Sequence, residues 1–279
     1  MEFEGRKMVI ATMHEKEKVI APILENNLQV NCFVTDKLDT DAFGTFSGDV
    51  ERSLSPIDTL RAKCNAAMNL TKCDLAVASE GSFGNHPMMF FANANEEIVM
   101  LLDRKNRFEI VEREISMDTN LNSSFVNSVE ELMAFADKCK FPSHALIVKN
   151  REANFSYIKK GIQSIEQLIE SFHECKLKFT SVFVETDMRA MYNPTRMEVI
   201  EKATHKLMNK LQKTCPNCTF PGFSLQEVIT GLPCSLCHNA TKSTQAFIYR
   251  CKKCGFEECK EFPHGKNEEN PMFCDFCNP

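Results

Sequence analysis

Four Cys-x-x-Cys pairs lie in the last quarter of the chain: Cys215/Cys218, Cys234/Cys237, Cys251/Cys254 and Cys274/Cys277. Two thiolates separated by two residues curl round one metal ion as a knuckle, and two knuckles complete a tetrahedral site of the Zn²⁺ type. Eight such thiols predict two closed four-cysteine centres, hence two structural zinc ions. The gaps between successive pairs are 15, 13 and 19 residues, counting 219–233, 238–250 and 255–273. Each gap suits a β-hairpin, so spacing alone leaves the pairing open. Sequential pairing joins the first pair to the second and the third to the fourth; nested pairing joins the second to the third inside the first and fourth; crossed pairing is the third arrangement. The nested arrangement is preferred, because the stretch from Cys234 to Glu258 reads as one ribbon with strands at Ala246–Arg250 and Phe256–Glu258. A redox-active Cys-x-x-Cys occurs singly beside a βαβ unit, which these do not. His238, Cys259 and His264 are spare donors and read as bystanders.

A closed four-thiolate site has no open position for catalysis, so reactive chemistry is sought in the polar stretches of the preceding 212 residues. The first is Ala11–Lys16, between a strand and a helix, where Thr12, Lys16 or Lys18 faces an anion at the helix N-terminus. The second is Asp39–Arg52, in which Asp39, Asp41, Asp49 and Glu51 offer hard oxygen donors of the kind Mg²⁺ takes. Gly44 and Gly48 permit close backbone approach there, and Phe43 and Phe46 are more than a solvated acidic loop requires. The third is Ser79–Pro87, read as the loop after a buried strand, with Glu80 as metal ligand or base and His86 as general acid or base. The fourth runs from Glu185 to Arg196. Asn193 and Pro194 are explained by helix capping, but a cation in the first turn opposes the helix dipole. Arg196 therefore faces an anion, either Asp187 or a ligand phosphate, and Arg189 offers a second bidentate fork.

The elements that must position these residues follow from periodicity and punctuation. Lys7–Met13, Leu28–Val34, Asp74–Ser79, Glu97–Leu102, Phe108–Ile115, His144–Val148 and Ser181–Val184 read as strands. Helices are predicted from Lys18 across Pro22, from Ser55-Pro56 to about Leu70, from Ser128 to about Lys138, over Ser164–Phe172, and from Asn193-Pro194 to about Gln212. Helices alternating with short β-rich runs predict an α/β domain over 1–212, a mixed sheet flanked by helices, followed by a zinc-ribbon module over 213–279.

A net charge of −5 with 25% charged residues argues against a basic nucleic-acid surface over the whole chain. Within the cysteine module, Lys242, Arg250, Lys252 and Lys253 are grouped, yet Lys206–Pro279 carries nine Lys or Arg against seven Asp or Glu. No apolar run approaches the ~18 residues of a membrane span, and no export signal is evident, so a cytoplasmic protein is expected. Clustered thiols in a reducing compartment point to metal, whereas the scattered Cys32, Cys64, Cys73, Cys139 and Cys175 read as buried small hydrophobes.

The strings ATMHEKEKVIAPIL, DTDAFGTFSGDVER, ASEGSFGNHP, ETDMRAMYNPTRM and CDFCNP together resemble an uncharacterised, mainly bacterial family, a domain of unknown function. That resemblance covers nearly the whole chain and implies the same two-part architecture. The order of Thr12, Asp58-Thr59 with Lys63, and Glu80-Gly81 is also similar to the inosine/xanthosine triphosphatase type of nucleoside-triphosphate pyrophosphatase, though the phosphate-loop asparagine is absent and Lys16 and Lys18 straddle its lysine. The resulting expectation is a Mg²⁺-dependent hydrolase of a phosphate-containing small molecule, such as a nucleotide. Glu80 and Asp41 would serve the metal and the attacking water; Thr12, Lys16, Arg189 and Arg196 would hold phosphate. The rival expectation is a non-catalytic protein whose zinc ribbon contacts a protein or nucleic acid.

Overall fold

A computed structural model of the chain describes residues 2–40, 42, 54–151 and 156–279. It divides into two compact units, 3–207 and 208–279. In the first unit a parallel βαβ step opens the chain: β1 (Lys7–Ala11), α1 (Glu17–Leu28) and β2 (Asn31–Phe33). Pro22 sits on the exposed side of α1, and Gln29 closes the helix in the left-handed conformation with its N–H on Glu25 O. Helix α2 (Pro56–Thr71) starts as its sequence dictates, with the Ser55 hydroxyl accepting from Asp58 N and proline in the first turn.

β3 (Leu75–Asn85) then runs parallel to β1, while β4 (Asn93–Asp103) and β5 (Phe108–Ser116) add antiparallel strands, giving the order β2-β1-β3-β4-β5. Leu60, Cys64, Ala67 and Met68 of α2 pack on Val9, Ala11, Ala76, Ala78, Ile98 and Met100, so α2 covers one face of this mixed sheet. A second sheet holds β6 (Ser123–Val126), β7 (Leu146–Lys149), β8 (Ile158–Ile162) and β9 (Val182–Thr186) in the antiparallel order β6-β9-β7-β8. Helices α3 (Val129–Lys138) and α4 (Ile165–Lys178) bury Leu132, Phe135, Leu168 and Phe172 against it. Helix α5 (Pro194–Leu211) follows. The mixed α/β architecture is as expected, but two sheets stand where one was read.

A second difference bears on the site. Glu80–Asn85, expected as a loop, continues β3, because β4 pairs it residue for residue from Leu75↔Asp103 to Asn85↔Asn93. Cross-strand pairing overrides the weak strand preference of Gly, Ser and Asn. The Asp39–Arg52 reading is left with Asp39 alone; Asp41, Asp49 and Glu51, with Phe43, Gly44, Phe46 and Gly48, lie outside the described residues.

The second unit is a three-stranded antiparallel meander, β10 (Ser224–Thr230), β11 (Thr244–Arg250) and β12 (Glu257–Glu261). Among the described residues no helix is long and apolar enough to cross a membrane. Cys64, Cys139 and Cys175 are buried in the packed layers of the first unit, in keeping with their reading as small hydrophobes, whereas Cys32 and Cys73, read the same way, are only partly buried.

Candidate metal centres and a charged sheet-edge site

The eight cysteines gather as two tetrads, Cys215/Cys218/Cys251/Cys254 and Cys234/Cys237/Cys274/Cys277, with the four sulfurs of each within 4.8 Å of one another. Closest approaches are 3.7 Å for Cys215–Cys254 and Cys218–Cys251, 3.8 Å for Cys234–Cys277 and 3.6 Å for Cys237–Cys274. A metal about 2.3 Å from each thiolate of a tetrahedron requires sulfurs about 3.8 Å apart, so both tetrads have the dimensions of a Zn²⁺ site. The first pair joins the third and the second joins the fourth. The nested pairing is therefore corrected to the crossed one, and the meander is the reason. Pairs one and three flank the start of β10 and the end of β11, at one end of the ribbon. Pairs two and four lie beyond the end of β10 and the end of β12, at the other.

Three knuckles share one local device. The residue two past the second pair member's predecessor, namely Thr219, His238 or Gly255, has a positive φ and returns its N–H to the carbonyl of Cys215, Cys234 or Cys251. That left-handed turn brings the two sulfurs of each pair to one side. Leu236 N and the amides of Asn217 and Asn239 point at Cys234, Cys254 and Cys237 sulfurs, the kind of outer contact that orients thiolate ligands. His238, Cys259 and His264 belong to neither tetrad.

In the first unit the charged residues collect where β1 stops. Its last rung with β3 is Ala11↔Ala78, and β3 continues beyond it with β4 as partner. Lys16, at the N-terminus of α1, donates from Nζ to Ser79 O at 3.1 Å, on the edge that β1 has vacated. Glu80 shares a face with Ala76 and Ala78 and so turns towards α2, where Lys63 Nζ meets its Oε2 at 2.6 Å. Lys63 lies within the buried stripe Thr59, Leu60, Lys63, Cys64 and Ala67 of α2. On the opposite face, Gly81 stands across from Glu97 of β4, and Arg196 of α5 donates from Nε to Glu97 Oε1 at 2.6 Å. Arg196 also donates to Met188 O, and its own N–H is capped by Asn193 Oδ1. Lys16, Lys63, Glu80, Glu97 and Arg196 are each at least 93% buried.

Three cations thus accompany two carboxylates around one sheet edge, and Lys16 carries the consequence. Burial, then the field of Arg196 and to a lesser degree Lys63, pushes its ammonium down to about 7, against partial opposition from Glu97 and Glu80. The unfolded chain holds that proton up to its ordinary value near 10.5, so over the window from about 7 to 10.5 the unfolded state binds more protons and stability rises with pH. Below 7 the folded chain bears the buried charge in full. Lys16→Met is accordingly expected to raise the melting temperature, by more at pH 6 than at pH 10. Melting curves across that range check this, and a variant less stable at pH 6 than the parent would contradict it.

Thr12 is buried one residue past β1, level with Ser79, and its hydroxyl accepts from His14 N. Asp187 and Arg189 bind each other through Arg189 Nε and Nη2 (3.0 and 2.6 Å), and Asp187 also accepts from Gly161 N. Arg196 reaches Glu97 rather than Asp187. His86 sits in the turn after β3, its Nδ1 accepting from Met88 N and Met89 N. It is six residues past Glu80, roughly 20 Å along an extended strand. Glu97 is the member of the cluster that the sequence reading missed. A glutamate at a position whose neighbours Val99 and Leu101 are buried on the same face was its available signal.

These features define a two-unit α/β protein with a charged sheet-edge cluster in one unit and twin four-cysteine centres in the other. A family described as a domain of unknown function, DUF6671, matches residues 63–279, and the chain belongs to that family. The match spans Lys63, Glu80, Glu97, Arg196 and all eight metal-site cysteines; Thr12 and Lys16 precede it. No curated protein matches the chain.

Proposed function

We propose that the first unit binds a phosphate-containing small molecule at the end of β1 and hydrolyses it with the help of Mg²⁺, while the second unit holds two structural zinc ions. The observation that carries this reading is the buried excess of cations over carboxylates among Lys16, Lys63, Arg196, Glu80 and Glu97. A bound phosphoanion would offset that excess and so favour the protonated form of Lys16. Lys16 and Arg196 supply preorganised positive charge for a developing phosphoryl charge, and Thr12 adds a hydroxyl. In this reading Glu80, ion-paired with Lys63, and Asp41, which lies outside the described residues, are the carboxylates assigned to the metal and the attacking water. Mg²⁺ held there would act as a Lewis acid on phosphoryl oxygen and lower the pKa of water. The order Thr12, Lys63, Glu80-Gly81, similar to that of the triphosphate pyrophosphatases, agrees with the reading without fixing the substrate.

The test is release of phosphate or pyrophosphate from a panel of nucleoside triphosphates with Mg²⁺. Glu80→Gln is expected to lower turnover about 10²–10³-fold. It leaves the buried Lys63 ammonium beside a neutral amide and should also lower the melting temperature. Lys16→Met is the cleaner variant, losing phosphate affinity without losing stability. Background release throughout the panel would remove the hydrolase reading.

A second reading has its own support. Leu236, Met272, Phe273 and Phe276, all in or beside the knuckles of the second tetrad, are exposed. Four large apolar side chains suit a protein contact better than a nucleic acid, whose binding would need clustered cations. Cross-linking that Phe273→Ser and Phe276→Ser abolish would favour it.

A further inference from the structure

Among the described residues the first sheet leaves four buried side-chain atoms without a hydrogen-bond partner, Ser79 Oγ, Asn95 Oδ1, Glu97 Oε2 and Glu114 Oε2; the last ion-pairs with Lys206, which leaves three. Their residues are 3%, 1% and 0% exposed. The register puts all three on one face. Gly81 faces Glu97, Phe83 faces Asn95, and Ser79 is two residues before Gly81. Gly81 forms the floor of this cradle, since a Cβ there would lie 2.2 Å from Glu97 Oε1 and 2.6 Å from Arg196 Nη2. Arg196 crosses it, with its guanidinium carbon 5.4 Å from the Phe83 ring centroid. Leaving a buried acceptor unsatisfied is costly, and these three, spread along one face of two paired strands with Ser79 and Asn95 about 13 Å apart by register, call for donors from outside the chain.

We propose that this cradle binds the neutral hydrogen-bond donors of an organic phosphate, sugar hydroxyls or base N–H groups, while the adjoining cations hold its phosphate. The inference rests on the phosphate-site reading for the second half of that ligand. Charge decides the chemistry. Arg196 already neutralises Glu97, so a divalent cation would meet a guanidinium bonded to its own ligand, and a second anion would meet two acceptor oxygens. Glu97 Oε2 and Asn95 Oδ1 can only accept, and Ser79 Oγ can do either. A neutral ligand that presents one donor to each of Glu97 Oε2 and Asn95 Oδ1, and a donor or an acceptor to Ser79 Oγ, satisfies all three. Phosphate alone, which has acceptors to offer, does not.

Titration calorimetry on the full zinc-loaded chain with Mg²⁺ at pH 6.5 tests this with four probes. Tripolyphosphate carries no such donors, ribose 5-phosphate carries hydroxyls, guanosine triphosphate carries hydroxyls and base N–H groups, and guanosine lacks phosphate. Guanosine triphosphate is expected to bind at least about tenfold tighter than tripolyphosphate. Ser79→Ala and Asn95→Leu should erase that advantage, changing tripolyphosphate affinity less than about twofold and leaving the melting temperature equal or higher, because each removes an orphaned polar atom. Ribose 5-phosphate losing affinity in the same variants assigns the donors to the sugar; its indifference, beside losses for guanosine triphosphate, assigns them to the base. Equal affinity of guanosine triphosphate and tripolyphosphate for the parent, equal losses for both in the variants, or a clear drop in melting temperature would overturn the proposal. Weak guanosine binding that the variants abolish, with no tripolyphosphate binding, would instead keep the cradle and remove the phosphate site.

Discussion

Cys234→Ala is expected to release both metal ions from the second unit. The two tetrads interleave along the chain: Cys234 and Cys237 lie between the pairs of the first centre, and Cys251 and Cys254 between the pairs of the second. The unit has little else to hold it. Its buried apolar side chains beyond the cysteines are few, Phe220, Phe223, Leu232 and Ala246 among them, and every residue of β12 is exposed. In so small a module metal binding is the folding free energy, with apparent values of about 10–16 kcal/mol per structural zinc. Losing the centre at one end of the ribbon frees the β10–β11 turn and the segment after β12, so the sulfurs at the other end lose their fixed separation. Elemental analysis should give two zinc ions per parent chain. After dialysis against a chelator that leaves the parent loaded, the variant should retain close to none, and β-sheet circular dichroism from this unit should fall with it. Retention of one ion with parental resistance to the chelator would mean the centres fold independently.

The pairing of those centres also shows where the sequence was legible and where it was not. The ligands themselves are visible at once, because no packing argument competes with four repeated Cys-x-x-Cys motifs. Their connectivity depends on how many times the chain reverses between them. Strand β10 is almost wholly exposed, with one buried residue at its start, so it lacks the alternation that betrays a strand. Without β10 the ribbon has two strands and nesting is the natural reading; with it, three antiparallel strands deliver alternate pairs to opposite ends. The same physics hides β6 and β8, the outer strands of the second sheet, which bury one residue each. Edge strands carry charge and glycine and resist recognition by pattern. Central strands and capped helices, such as β7, β9 and α2, were plain because Val, Ile, Leu and Ser-Pro signals there coincide with burial.

In the sheet-edge cluster the sequence supplied Lys16, Glu80 and Arg196 but not the side chain that Arg196 meets. Arg196 could be seen to need an anion, since it sits in the first turn of α5. Which anion was a tertiary fact. Asp187, nearer in sequence, is taken by Arg189 and Gly161, and Glu97 arrives from a strand 99 residues away. A glycine decides whether that meeting can occur.

Gly81→Ala is expected to destabilise the first unit sharply. Gly81 does not adopt a left-handed conformation, so backbone freedom is not what alanine would take away. The space is already filled: the added Cβ would lie 2.2 Å from Glu97 Oε1, 2.7 Å from Glu97 Cδ and 2.6 Å from Arg196 Nη2. Arg196 and Glu97 are 2% and 0% exposed, and the guanidinium is held on its other side by Met188 O, so neither side chain can swing aside into water. The pair must separate within the packed interior, and breaking a buried ion pair costs about 3–5 kcal/mol. Three residues further along the same strand, Gly84 has nothing within 4 Å of its Cβ position. There alanine relieves the conformational entropy of glycine and is expected to be neutral or stabilising by up to ~1 kcal/mol. Urea unfolding of both variants, compared at unchanged m-value, separates the two cases. The Gly81→Ala midpoint should fall sharply while that of Gly84→Ala holds. Equal midpoints would mean that Arg196 has another place to go, and that the tight crossing of Arg196 over β3 is not what holds α5 to the first sheet.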